Sequence, residues 1–190
     1  MADETTTKPT VTELLRQQHD EVKQMFSKFV PSKGPARTEL FDCLRATLAV
    51  HETAEEIVVY PEVRAVGDEG RRIADARLEE ESEAKQMLAD LEKIGPDGGS
   101  EFGTLFENFR TAVLAHAQAE ETEVFPLLEA NVDAATLQDM ADAVLVAEDM
   151  APTHPHPHGP DSALGNLMVG PFVALVDKVR DKLKAHATSR

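Results

Sequence analysis

An internal repeat constrains this chain more than any other feature. Residues 51–61 read HETAEEIVVYP and residues 116–126 read HAQAEETEVFP, so that His, Ala, Glu, Glu, Val and Pro coincide in position. The residue before each proline is aromatic, Tyr60 in one copy and Phe125 in the other. The copies begin 65 residues apart, about the length of a helical hairpin, which assigns them to the second and fourth helices of a bundle.

Within each copy the His and the first Glu are four residues apart, so on a helix they lie within about 40° of each other and reach one metal ion together. These pairs are His51 with Glu55 and His116 with Glu120. Both continue an apolar stripe: Leu44, Leu48, His51, Glu55 and Val58 step by three or four, as do Phe106, Phe109, Val113, His116, Glu120 and Val124. A Glu-rich solvated face is the bland alternative, and the core register together with the repeat argues against it. Burying such carboxylates without partners costs several kcal/mol, so a metal or a full hydrogen-bond network is required. His19 lies four after Leu15 and seven before Phe26 on the first helix, again on the core stripe. In the LEEESEAK run either Glu80 or Glu81 is placed to face inward. Imidazole with carboxylate suits iron, manganese or zinc.

The rest of the chain reads as helices. It is 42% apolar and 28% charged, without the alternating β-branched runs that strands need. Helices are expected over about residues 13–30 with Thr12 as cap, 37–60 stopped by Pro61, 69–94, 102–125 ended or kinked by Pro126, and 133–148. Two prolines and a glycine in residues 31–36 make a turn, and GPDGGSEFG makes the next break. A last amphipathic helix is expected over residues 171–186, after a Pro-rich loop holding His154, His156 and His158. The fold expected is all-α: an antiparallel up-down four-helix bundle over residues 11–130, with a helical and Pro/His-rich C-terminal extension over 131–190.

A net charge of −16 argues against nucleic acid or an anionic membrane as partner, since both call for clustered Lys and Arg. Cys43 is the single cysteine, which excludes an intramolecular disulfide and a thiolate zinc cluster and reads as an inert core residue. With no apolar leader in MADETTTKPT and no bilayer-length apolar run, a cytoplasmic protein is expected.

The two HxxxEE segments, together with LLRQQHDEVKQMF around His19, resemble the hemerythrin-like, or HHE cation-binding, family over about residues 11–130. That resemblance implies a non-haem centre of two iron ions, oxo- or hydroxo-bridged, with His19, His51, Glu55, His116 and Glu120 at ligand positions. Glu56 and Glu121 match the acids that accompany them, and Glu121 replaces Glu120 as ligand in the longer spacing some members use. One departure stands out: the third-helix position where members carry His, just before EAKQML, is Glu81 here. Glu81, Glu52 or a tail histidine such as His156 then completes the site, or a position stays open. The tail histidines otherwise read as an exposed linker.

More anionic oxygen among the ligands stabilises ferric iron, disfavours reversible dioxygen binding and favours turnover of hydrogen peroxide. The expected function is peroxide disproportionation, with Glu56 or Glu121 transferring protons. Tyr60, the sole phenol, is a candidate for redox tuning. The alternatives are a non-catalytic sensor or store for O2 or NO, and an iron-responsive module.

Overall fold

A computed structural model describes residues 8–151, so the expected helix over 171–186 and the tail histidines, His156 among them, lie outside the described residues. The first helix, α1 (Val11–Phe29), starts at Thr10 rather than Thr12. The Thr10 hydroxyl accepts from the Glu13 N–H while the Glu13 carboxylate accepts from the Thr10 N–H, a reciprocal cap worth about 1 kcal/mol. Thr12 is buried inside the first turn instead.

Helix α2 (Pro35–Ala54) does not stop at Pro61. It runs through a five-residue π-turn, Glu55–Val59, into α3 (Tyr60–Ala65). The backbone at Ala54, Glu55, Val59 and Tyr60 stays right-handed helical throughout. Pro61 sits in the first turn of α3, where its missing N–H is least costly. The second copy of the repeat behaves the same way: α5 (Gly99–Ala119) passes through a π-turn, Glu120–Val124, into α6 (Phe125–Asn131). Pro126 therefore does not end the rod, and α5 begins three residues earlier than its sequence pattern suggests. Between them lies α4 (Asp68–Ile94), closed by Gly95 at φ 78°, a left-handed conformation that glycine adopts at little steric cost.

These rods, α1, α2–α3, α4 and α5–α6, form the expected up-down bundle, and α7 (Ala134–Met150) packs along α1 and α2. No strand occurs among the described residues. Where α3 turns into α4, a Cβ at Gly70 would lie 1.9 Å from the Val63 carbonyl oxygen, so this close approach needs glycine. No helix of the described residues is long and apolar enough to cross a membrane.

Two apolar clusters fill the bundle. One joins Leu15, Val58, Val59, Val63, Phe125 and Leu128 to Met140 and Val144 of α7. The other is aromatic, with Phe26, Phe29, Phe41, Phe102, Phe106 and Phe109 in edge, tilted and stacked contacts, the closest being Phe29 to Phe106 at 4.2 Å between centroids. The inward polar residues of α1, α2, α4 and α5 occur in sequence between the members of these two clusters. Cys43 is exposed rather than buried, on the outer face of α2.

Candidate metal centre

Six side chains from four rods converge in the bundle. The ligating atoms of His19, His51, Glu55 and Glu120 lie within 4.8 Å of one another, and those of Glu55, Glu81 and His116 do likewise. Glu55 belongs to both groups, as a carboxylate with two oxygens can. His51 Nε2 stands 3.3 Å from Glu55 Oε1, and His19 Nε2 3.3 Å from Glu120 Oε2. His116 Nε2 is 3.5 Å from Glu120 Oε2 and 3.9 Å from Glu81 Oε1. Glu55, Glu81 and Glu120 are 0%, 1% and 0% exposed, which puts the full cost of carboxylate burial on this layer.

All three imidazoles are held by their outer nitrogens. His19 Nδ1 lies 3.0 Å from Glu121, His51 Nδ1 2.9 Å from the Gln18 side-chain oxygen, and His116 Nδ1 3.0 Å from Glu80. An oxygen acceptor at Nδ1 fixes the proton there and turns the Nε2 lone pair into the centre, the arrangement typical of metal-ligating histidines.

That inner surface is left unsatisfied. His19 Nε2, both Glu55 oxygens and Glu120 Oε2 are buried with no hydrogen-bond partner; the close His–Glu contacts are not aligned for hydrogen bonding. Orphaned buried lone pairs are rare in folded proteins. Four of them gathered in one place, an imidazole nitrogen from α1 and carboxylate oxygens from both copies of the repeat, fit divalent cations.

The charge balance fits as well. Burial, and then the neighbouring Glu120 and Glu81 charges, push Glu55 well above the usual carboxylate range. Burial pushes Glu81 up too, against the pull of Lys85. At Glu120 the burial penalty is outweighed by His116 and His19, which pull it down to about 2. His116 is raised to about 9 because Glu120 and the Glu80 hydrogen bond overcome burial, whereas burial and then the neighbouring His19 push His51 down to about 3.

Tyr60 reaches in from α3. Its hydroxyl stands 2.6 Å from Glu81 Oε1 and 2.8 Å from Glu120 Oε1. One hydroxyl proton cannot serve both at once, so the second short contact requires a protonated carboxyl, and Glu81 is the one whose pKa is raised. The other Glu81 oxygen meets Lys85 Nζ at 3.2 Å. Lys85 also pairs with Glu56 and stands 3.7 Å from Glu52.

Of the two glutamates the sequence left open on the third rod, Glu81 faces inward and Glu80 grips His116 from outside. Glu52 is buried but stands apart from the cluster, on the wall of an adjoining cavity of about 20 Å3. Val22, Leu48, Ala84 and Val113 form the apolar side of that cavity, and His19, His51, Glu81 and His116 its polar side. It holds about one water-sized molecule. Neither Glu56 nor Glu121 lies inside the cluster: Glu56 is bound by Lys85 and Glu121 by His19 Nδ1 and Lys23. Gln18 and Lys85 carry no sequence signal of their own, because a single polar residue on an outward helical position is unremarkable until a neighbouring helix is packed against it.

Comparison with known proteins gives a concordant picture. Residues 10–128 match the model of the hemerythrin HHE cation binding domain. An uncharacterized hemerythrin-like protein of Schizosaccharomyces pombe is 30% identical over 138 residues, covering 72% of this chain and 68% of that protein. A DNA nickase of Nostoc is 27% identical over 132 residues, covering 69% of this chain but only 37% of the nickase. No solved structure matches the chain significantly.

Proposed function

The chain belongs to the hemerythrin HHE cation-binding family, and on that premise we propose that its cluster holds two iron ions and disproportionates hydrogen peroxide. The observation that carries the reading is Glu81, a fully buried carboxylate within the cluster, at the position where the resembled family pattern has an imidazole. His19, His51, Glu55 and Glu120 would hold one ion; Glu55, Glu81 and His116 would hold the other. Iron supplies the two-electron change by which two molecules of hydrogen peroxide become two of water and one of dioxygen.

The chain's own groups do the rest. Gln18, Glu80 and Glu121 orient the three imidazoles. The Tyr60 hydroxyl holds a proton between Glu81 and Glu120. Lys85 Nζ stands against Glu81 and Glu52 and, through the part-buried Glu56, connects the cavity to the outside for proton exchange. The small cavity is large enough for a molecule the size of hydrogen peroxide.

The apolar half of the cavity favours a second reading, a store or sensor of O2 or NO, because neutral diatomics partition into apolar space. An oxygen electrode separates the two. Iron-loaded protein that evolves dioxygen from hydrogen peroxide faster than the same iron free in buffer supports the first. No excess evolution, with a reversible spectral change under O2 or NO, replaces it with the second. The activity named for the Nostoc relative belongs to a protein of which this chain spans about a third, and a net charge of −16 offers DNA phosphates no attraction.

A further inference from the structure

Two π-turns occupy matched places in the two copies of the repeat, and both begin at a glutamate of the cluster. Such turns are rare, well under 1% of residues in globular proteins, and they concentrate at functional sites. In the first, the Tyr60 N–H bonds the Glu55 carbonyl; in the second, the Phe125 N–H bonds the Glu120 carbonyl. Each of these bonds spans five residues where an α-helix spans four.

The extra residue has a steric cause in each copy. The residue after each bond is a proline, Pro61 or Pro126. Proline offers no N–H, and in α geometry its ring would collide with the carbonyl four residues back, that of Ile57 or Thr122. Widening the turn by one residue moves that carbonyl aside. The residues inside the two turns differ, Ile57-Val58 in one and Thr122-Glu123 in the other. What the copies share is the Glu-Glu start, a valine, an aromatic residue and the closing proline.

The geometric consequence falls on the aromatic residue. In an α-helix, residues five apart point about 140° from each other, so Tyr60 would turn away from Glu55 and Phe125 away from Glu120. Here all four are buried on the inner side. The Tyr60 hydroxyl reaches Glu81 and Glu120, and the Phe125 ring stacks on the His19 imidazole at 5.7 Å and 17°.

We propose that Pro61 and Pro126 are positioning residues of this centre: each holds open a π-turn that swings the aromatic side chain before it onto the cluster, Tyr60 onto the carboxylates and Phe125 onto His19. The metal-binding arm of the test rests on the function proposed above; the backbone arm does not.

The test uses Pro61→Ala and Pro126→Ala in the full chain, with three measurements: cobalt(II) affinity, the thermal midpoint of metal-free protein, and acrylamide quenching of tyrosine fluorescence. The last reports one residue, because the chain has a single Tyr and no Trp. Alanine restores the backbone donor and allows α geometry. Pro61→Ala is therefore expected to expose Tyr60 to quencher and to weaken cobalt binding about tenfold or more, the range for losing a group that orients metal ligands. Pro126→Ala is expected to weaken cobalt binding similarly while Tyr60 stays shielded. Unchanged affinity with unchanged shielding in Pro61→Ala overturns the proposal. So does a loss of affinity that merely follows a lowered midpoint while Tyr60 stays shielded. If the unaltered chain binds no cobalt, the metal reading fails, and the quenching and midpoint data on metal-free protein still decide the role of the prolines.

Discussion

The Tyr60 hydroxyl donates to Glu120 across 60 residues of sequence at 2.8 Å, linking the two copies of the repeat through the centre itself. It stands 2.6 Å from Glu81, so the only phenol in the chain serves two buried carboxylates. Tyr60→Phe keeps the ring and removes the donor. The expected result is a loss of about 1–3 kcal/mol in metal-free protein, the cost of an unsatisfied buried polar group, measured by urea denaturation. An unchanged midpoint would show that the hydroxyl carries no share of the carboxylate burial.

Metal loading should release protons. Glu55 and Glu81 are raised by burial, and His116, raised to about 9, is protonated in the metal-free centre at neutral pH, so ligation must displace its proton. Apparent affinity therefore rises with pH. Calorimetry in buffers of different ionisation enthalpy measures the release, and buffer-independent heats would contradict it.

The same groups give the metal-free fold a pH dependence of definite sign. His116, raised from 6.5 to about 9, contributes stability that is present below pH 6.5 and lost as pH rises through about 9. Raised carboxylates act in the same direction, because the folded state binds more protons than the unfolded one. His51, lowered to about 3, works oppositely but only up to pH 6.5. Glu120, lowered to about 2, loses its contribution only in strong acid. Metal-free stability should thus fall between pH 6.5 and 9, by up to roughly 3 kcal/mol from His116, and loaded protein should show little of this fall. Thermal melts across that range check both.

Gln18 is held 2.9 Å from His51 Nδ1. Gln18→Ala should leave the fold intact and weaken metal binding about 10–100-fold by freeing the imidazole. Equilibrium dialysis with ferrous or cobaltous ion measures it.

How much of this was legible in the sequence varies from residue to residue, for physical reasons. His51, Glu55, His116 and Glu120 were legible because a repeat and a core stripe coincide on them. Glu80 and Glu81 were not separable, since neighbours about 100° apart in a charge run both border the inner face. Gln18 and Lys85 act across helix interfaces, which no single-helix pattern encodes. Pro61 read as a helix stop and Pro126 as a stop or a kink, because the rule against proline assumes α geometry and a π-turn relaxes it. Cys43 was expected inside and lies outside: it directly precedes Leu44, which takes the core position. The choice of Thr10 over Thr12 rests on Glu13, whose reciprocal bond selects the residue three before it.

Replacing Glu81 by the imidazole that the family pattern carries tests its role in the chemistry. Glu81→His removes one anionic oxygen from the centre and leaves Lys85 with Glu52 and Glu56. Softer, less anionic ligation favours the ferrous state, so peroxide turnover should fall by an order of magnitude and a reversible optical response to dioxygen should appear. Undiminished oxygen evolution would detach the activity from Glu81.

The central claim is that the buried cluster is a two-iron centre. It is tested most directly by iron content per chain, taken with the optical spectrum before and after adding hydrogen peroxide. The account predicts two iron ions per chain and the near-ultraviolet absorption of an oxo-bridged ferric pair that peroxide perturbs transiently. Protein that takes up no iron after anaerobic reconstitution, or a single ion with no such absorption, would contradict it.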